Sequence, residues 1–447
     1  MPENNQDLTQ GNIYTSLIKF SIPFIIANFI QALYGAVDLI MIGYFTDSFG
    51  LSSVSIGTQV MQIVMGLITG LTMGGTILIG QYYGAKREKD TKEVIGTLLT
   101  FGMIVSIVIT LLMFLIADPL LNILQTPREA FTDARNYVLI ASSGIVFIFG
   151  YNAISAILRG LGDSKTPVYF IAVACVCNII LDIIFVGTLD MRASGAALAT
   201  IISQAISMIL AMIYITKVKS IIEFKLKSFS ISKEKIKKLF IVGLPLSLQE
   251  VLLWGSFLFI IAIANSIGVS ESAAVGIIAK VETFTMLPPM ALSYATAVLT
   301  AQNIGAKQPE RAKKSLNISI LFSVICSLFF FAWAQVFPES IMNIFKADKL
   351  VVIAGIEYLR SFSFDFILVA FKFNLNGFLN GCGRTTFTML NGIISSILVR
   401  VPLAYILGLY ISKSIFGLGA AAPIASIVSM VASIIYIKSG KWNRELI

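Results

Sequence analysis

Apolar residues in this chain come in runs of twenty or more, separated by short polar stretches. Six runs occupy residues 17–45, 52–83, 94–117, 137–158, 168–188 and 196–216, and six more occupy 240–267, 273–302, 315–340, 357–380, 387–410 and 416–437. A helix that crosses a bilayer needs about 20 predominantly apolar residues, so the pattern predicts about twelve transmembrane helices. Composition agrees: the 447 residues are 57% hydrophobic and 13% charged, with a mean hydropathy of +0.87, against roughly 25% charged residues in soluble domains. The expected class is an all-α polytopic membrane protein.

The opening MPENNQDLTQGN carries two acids and no basic cluster, so it does not read as a cleavable leader, and the first run is expected to remain as a helix. Basic residues gather in alternate loops: Lys86, Arg87, Lys89 and Lys92; Arg159 and Lys165; Lys217 through Lys238; Lys307, Arg311, Lys313 and Lys314; Lys438, Lys441 and Arg444. The positive-inside rule makes these loops and both termini cytoplasmic, in the inner or plasma membrane of the cell. Arg128, Arg135, Lys346 and Lys349 depart from the bias. The net charge of +9 is thus an orientation signal, and no nucleic-acid partner is expected. Cys175, Cys177, Cys326 and Cys382 lie in apolar segments and read as small packing residues.

The chain repeats itself. QYYGAK ends at Lys86 and QNIGAK at Lys307, an offset of 221 (307 − 86), and LRGLG at 158–162 returns as LNGCG at 379–383 with the same offset (383 − 162 = 221). Six helices per repeat is an even number, so both halves enter from one side and their pseudo-twofold axis runs along the membrane normal. The expected organisation is one six-helix bundle over 1–217, a basic cytoplasmic linker over 218–238 and a second bundle over 239–447. The linker either lies on the anionic inner leaflet or is simply solvated. Pro23 and Pro245 stand at the starts of the first and seventh runs, and Gly74, Gly75 and Gly80 permit close helix contact. Packing is the simpler explanation for all of them.

A charge inside a spanning helix costs roughly 2.5–3.5 kcal/mol on insertion scales and survives where it is paired or useful. Asp38 lies in the first run and Asp182 in the fifth, with Asn178 one turn before it on the same face. Thr200 opens the sixth run, Tyr137 and Asn152 lie on the fourth, and Gln31 precedes Asp38. All offer oxygen, the donor a hard cation prefers. Burial disfavours an ionised carboxyl, and two neighbouring carboxyls disfavour double ionisation, so Asp38 and Asp182 suit the holding of one proton or of Na⁺. Asp38, Asn178, Asp182 and Thr200 are the expected cation-coupling set. A plain hydrogen bond to a neighbouring helix is the alternative for Asn178 and Asp182. Phe259 stands 221 residues after Asp38, so the acid is not repeated. The second half instead carries Glu250, Lys280, Glu282, Asp365, Lys372 and Arg400 in apolar runs, several of them candidates for mutual pairing. Lys280 and Glu282 are two apart and do not face each other on a helix.

The chain contains no histidine and no GxxxxGK[ST], HExxH, GxSxG or CxxC stretch. ATP is therefore not the expected fuel, and no enzymatic activity and no cofactor beyond the coupling ion are expected.

These features together resemble the multidrug and toxic compound extrusion (MATE) transporters. The resemblance rests on Pro23, AVDLIMIG around Asp38, GAK after the second and eighth helices, LRGLGDSKTP at 158–167 and LNGCGRTT at 379–386, and it spans the chain. It implies two six-helix bundles arranged as a V around a central cavity, and cation-coupled export. The DinF-like branch carries an acid on the first helix and Asn-x-x-x-Asp on the fifth, matched by Asp38, Asn178 and Asp182; Tyr137, Asn152 and Thr200 fall where that branch lines its amino-terminal cavity. Other branches place acids where this chain has Leu253 and Val369, with Glu250 and Asp365 one turn away. The resemblance therefore locates coupling in the first half, with Gln31, Tyr137, Asn152, Glu250 and Asp365 as substrate-cavity candidates. The expected protein is a monomeric antiporter that exports mostly apolar, often cationic compounds, the cavity walls drawing on 15 Met and 32 Phe. The rival is a flippase for a lipid-linked precursor, which needs cavity cations such as Lys280, Lys372 and Arg400.

Overall fold

The computed structural model describes residues 7–46, 48–217, 231–411, 414–443 and 446–447; the side chains of Tyr34, Ala36, Asp38, Leu39, Ser48, Trp254 and Leu258 also lie outside the described set. Every element among the described residues is helical. The first half contains α1 (Ile13–Phe45), α2 (Ser48–Gly84), α3 (Glu88–Ile123), α4 (Arg128–Ser143), α5 (Ile145–Gly160), α6 (Thr166–Asp182), a π-helical turn at Ile183–Thr188, and α7 (Arg192–Lys217). The second contains α8 (Lys233–Ile267), α9 (Val269–Gly305), α10 (Pro309–Val336), α11 (Pro338–Asn343), α12 (Lys349–Phe362), α13 (Phe364–Gly381), α14 (Thr385–Ile393), α15 (Val401–Tyr405) and α16 (Ile415–Lys438), with π-helical turns at Ile394–Arg400 and Ile406–Ile411.

Among the described residues, ten helical segments are long and apolar enough to cross a membrane, and α4 with α5, bent by 47°, makes an eleventh. The pair α12 and α13 stands at the same place in the second repeat. Glu357, Arg360, Asp365 and Lys372 lower its hydropathy, so it is not among those eleven. The chain is a multi-pass membrane protein.

Each expected run is one helix or a series of helical segments end to end, 387–410 being α14 and α15 with their two π turns, and most extend beyond the run because hydropathy marks only the apolar stretch. The run 315–340 is an exception: α10 stops at Val336, since Pro338 disfavours helical geometry in Phe337, whose φ is −128° and ψ 50°. Pro23 and Pro245 are not at helix starts, as expected, but inside α1 and α8, whose first turns precede the apolar runs. Of the expected linker, 218–230 lies outside the described residues, and 233–238 forms the first turns of α8.

Packing divides the chain into unit 1, Met1–Asp7 with Ile22–Ser247, and unit 2, Leu8–Ser21 with Leu248–Ile447. The division runs through α1 and α8, so each sequence half lends its opening turns to the other's unit. In unit 1 the fully buried Lys235 donates to the Tyr82 hydroxyl at 3.0 Å and to Asp90, and Lys238 donates to the same hydroxyl at 2.9 Å. In unit 2 Arg311 donates to the carbonyls of Gln10 at 2.6 Å and Gly11 at 2.9 Å, while Asn303 donates to Leu8 at 3.2 Å. Asp90 and Arg311 are equivalent positions (311 − 90 = 221), so one place in the repeat anchors with opposite charge.

The repeat also governs the backbone. Lys86 and Lys307 have φ of 57° and 59°, Gln125 and Lys346 of 52° and 49°, and Gly162 and Gly383 of 96° and 75°, each pair 221 apart. At Gly162 this left-handed turn lets Asp163 N–H reach the Leu158 carbonyl at 2.8 Å; at Gly383 Arg384 N–H reaches Leu379 at 2.8 Å. Asp163 then caps α6, accepting from the backbone N–H of Lys165 and Thr166 at 3.0 Å each. LRGLGDSKTP is thus a helix stop followed at once by a helix start.

Gly160 and Gly381 hold the second and fourth helices of each repeat in close contact. A Cβ on Gly160 would lie 3.0 Å from the Thr76 carbonyl oxygen, and one on Gly381 would lie 2.4 Å from that of Ala297, the equivalent residue. Backbone cannot yield as a side-chain tip can. Gly381→Val should therefore cost about 1–3 kcal/mol and lower the melting temperature of the purified protein. Gly276→Ala, with nothing within 4 Å of the added atom, should leave it unchanged or raise it slightly, and fluorescence-detected thermal unfolding compares the two.

Candidate ion and substrate sites

In unit 1, α7 packs against α4, α5 and α6, so the elements carrying Thr200, Tyr137, Asn152 and the Asn178–Asp182 pair meet around one helix. Asn178 is 0% exposed and Asp182 1%. One turn apart on α6, they face inward while Val173, Val176 and Ile180 face outward. Neither the amide nitrogen nor the amide oxygen of Asn178 makes a hydrogen bond among the described residues, and neither does the buried hydroxyl of Thr200. Leaving a buried polar group unpaired costs about 1–3 kcal/mol, so these atoms form an incomplete oxygen-bearing set. Immediately after Asp182 the helix widens into its π turn, where Leu189 N–H bonds to Ile184 at 2.9 Å; such turns recur at functional sites.

The other candidates of unit 1 are placed differently. Tyr137 is buried, its ring stands over Gly57, where an added Cβ would meet it at 2.3 Å, and its hydroxyl is 3.3 Å from that of Thr58. Asn152 donates to the Ile148 carbonyl of its own helix at 2.8 Å, so its amide nitrogen is already engaged. Gln31 is exposed on α1. The backbone of Asp38 lies in α1 and its side chain lies outside the described residues.

Unit 2 gathers a different set. Glu282 on α9, Asp365 in the first turn of α13 and Arg400 at the end of a π turn are buried, and Lys372 on α13 is half-buried. The Arg400 guanidinium lies 5.1 Å from the centre of the Phe257 ring. Glu282 is within electrostatic reach of Arg400, Asp365 and Lys372. Lys280, two residues from Glu282, is exposed, and Glu250 is half-buried on α8 without a charged partner among the described residues. Sequence reading passed over Tyr358, buried among these groups. The repeat register would have found it, because it stands 221 residues after Tyr137 (358 − 137). The π turns carry no comparable local signal.

Comparison with known proteins agrees with this architecture. The model of the MatE family matches residues 23–184 and 245–406, two stretches of equal length, one per repeat. The chain is 28% identical over 441 residues to "Probable multidrug resistance protein YpnP" of Bacillus subtilis, covering 98% of this chain and 97% of that one. It is 26% identical over 454 residues to "Probable multidrug resistance protein NorM" of Thermotoga maritima, covering 97% and 94%. Among solved structures, "Outward-facing conformation of a multidrug resistance MATE family transporter of the MOP superfamily" shares the fold with a TM-score of 0.93 at 22% identity, over 100% of both chains.

Asn178 can be tested as an incomplete ligand. If its amide contributes nothing to ion-free packing, Asn178→Leu removes an unpaired buried group and should raise stability by up to about 1–3 kcal/mol. The same variant should lose any stabilisation by added Na⁺ or by acid. Thermal melts with and without Na⁺, at two pH values, separate the two effects.

Proposed function

The chain belongs to the MatE family, and from that premise we propose that it is a secondary antiporter exporting mostly apolar, often cationic compounds in exchange for H⁺ or Na⁺. The observation that carries this reading is the incomplete oxygen set of unit 1. Asn178 and Asp182 are buried one turn apart, with the Asn178 amide and the Thr200 hydroxyl making no hydrogen bond among the described residues. Oxygen donors suit a hard cation, and a carboxyl also suits a proton. Asp38, on the same bundle, is the proposed fourth member. The curated relatives are named as multidrug resistance proteins, which supports a small-molecule cargo for this chain.

The mechanism needs only competition. A cation on the Asp38 and Asp182 carboxyls neutralises the site and favours release of a positively charged cargo; its departure inward restores the charge that attracts the next one. One elementary charge returning through 100 mV supplies about 2.3 kcal/mol, roughly 50-fold accumulation of a neutral cargo; one-for-one exchange with a singly charged cation moves no net charge, and the ion's concentration gradient drives it. Tyr137, Asn152, Gln31, Glu250 and Asp365 are the proposed cavity-lining groups. The basic loops support a plasma-membrane protein with both termini in the cytoplasm, acting as a monomer in lipid.

A flippase for a lipid-linked precursor is the second reading, kept by the buried cation of Arg400. Reconstitution into vesicles decides between them, since an antiporter moves dye without scrambling lipid. Asp38→Asn and Asp182→Asn should each remain folded yet lose uphill efflux by at least about tenfold, one charge-assisted contact being worth that much. Imposing the pH and Na⁺ gradients separately identifies the coupling ion, and wild-type efflux in the Asp38 variant would refute the assignment.

A further inference from the structure

Unit 2 rebuilds the frame of the unit 1 site with other chemistry. In the register of 221 residues Met61 corresponds to Glu282 (282 − 61), Gly144 to Asp365 (365 − 144), and Ile179, next to Asn178, to Arg400 (400 − 179). Tyr358 repeats Tyr137. The helices carrying Glu282, Tyr358, Asp365 and Lys372 pack together, α9 against α12 and α13, and the Ile394–Arg400 turn joins them through α16, which packs against it and against α12 and α13. Where unit 1 offers oxygens alone, unit 2 offers two cations and two acids.

These four charges do not satisfy one another directly. Glu282 feels Arg400, Asp365 and Lys372, and Lys372 feels Asp365, Arg400 and Glu282. Yet the ion pairs among the described residues include none between them. Glu282 Oε1 and Asp365 Oδ1 are buried without a hydrogen bond among the described residues. Arginine keeps its proton under all ordinary conditions, so its charge is permanent, and a buried charge is costly unless a counter-charge or hydrogen bonds complete it. Groups of both signs, close enough to interact and too far apart to pair, are complemented by a molecule that carries both signs itself.

We propose that unit 2 holds a ligand site for a zwitterion, its carboxylate or phosphate received by Arg400 and Lys372 and its ammonium by Glu282 and Asp365. Arg400 donates a hydrogen bond to the Tyr358 hydroxyl, which orients it without neutralising it, and the Phe257 ring supplies the apolar contact beside the guanidinium. This rests on the antiporter reading for the ligand's onward movement, and it names a cargo class that a purely cation-selective cavity would exclude. The chemistry is shared by a free amino-acid-like compound and by an ethanolamine phospholipid headgroup.

Fluorescence binding to the purified full chain tests the site with three probes: Nε-dansyl-lysine, a zwitterion; its methyl ester, a cation; and its Nα-acetyl derivative, an anion. The zwitterion should bind more tightly than either singly charged form. Arg400→Gln and Lys372→Gln should each weaken it roughly 10- to 100-fold, the size of one charge-assisted contact, and Arg400→Lys should restore part of the loss. Lys372, only half-buried, serves if the Arg400 variant fails to fold. Repeating the titration in nanodiscs with and without phosphatidylethanolamine assigns the source: competition marks the headgroup, and its absence a free zwitterion. Equal binding of the three probes, no saturable binding, or an undiminished preference in folded Gln variants would overturn the proposal and leave the charges as internal balance. Continued efflux of a lipophilic cation in that case would keep the antiporter reading intact.

Discussion

Lipid offers the backbone no hydrogen-bond partner, so every break in a spanning helix must be repaired from inside the protein. The fourth span of each repeat shows how. At the bend between α4 and α5 the Ser142 carbonyl accepts the Thr110 hydroxyl of α3 at 3.0 Å. At the junction of α12 and α13 Gln335 of α10 donates to the Arg360 carbonyl at 3.1 Å and to the Ser363 hydroxyl at 2.8 Å. The third helix of each repeat thus braces the fourth. The breaks follow from the sequence only in part: Gly144 gives room for Ile201 of α7, at 2.6 Å from where a Cβ would stand, whereas the second repeat has Ser363 and Phe364 at the junction. A bent helix is then free to turn polar residues inward, and Asp365 sits in the first turn beyond the second junction.

Duplication supplied one frame, and substitution filled it twice. The left-handed turns at Lys86 and Lys307, the glycine contacts at Gly160 and Gly381 and the paired tyrosines Tyr137 and Tyr358 are common to both repeats because each serves the packing of a six-helix bundle. Positions that packing leaves undetermined have diverged in charge. Asp90 accepts from Lys235, whereas its counterpart Arg311 donates to main-chain carbonyls. Asn178 and Asp182 face Thr200's helix in one unit, and Arg400 lies near Glu282 in the other. A permanent guanidinium disfavours a second cation close by, so the charge pattern of unit 2 differs in kind from the oxygen-bearing set of unit 1.

Much of this was legible beforehand because lipid is an exacting solvent. Length and hydropathy located the helical runs, and the offset of 221 located the repeat, since both are linear properties of the chain. The ends were less legible. The polar first turns of α1 and α8 continue the helix past the apolar run, so Pro23 and Pro245 lie inside rather than at the start. The site was half legible: Asn178 and Asp182 share a face by spacing alone, and their burial follows. Asn152, equally polar, bonds its own helix, and Gln31 is exposed. Periodicity cannot predict either, because neither outcome depends on spacing.

The sequence by itself determined that this is a duplicated bundle of membrane-spanning helices with costly polar and charged groups of different chemistry in its two halves, because hydrophobic length, charge bias and repeat register are carried by the chain in one dimension. Only the tertiary structure decided which polar atoms go unsatisfied and which charges face one another. Among the described residues Asn178 makes no hydrogen bond where α6 packs on α7, and Glu282 comes within electrostatic reach of Arg400, more than a hundred residues on in the chain (400 − 282 = 118). Hydrogen bonding and electrostatics act through space over a few ångströms, and that proximity exists only once the helices have packed.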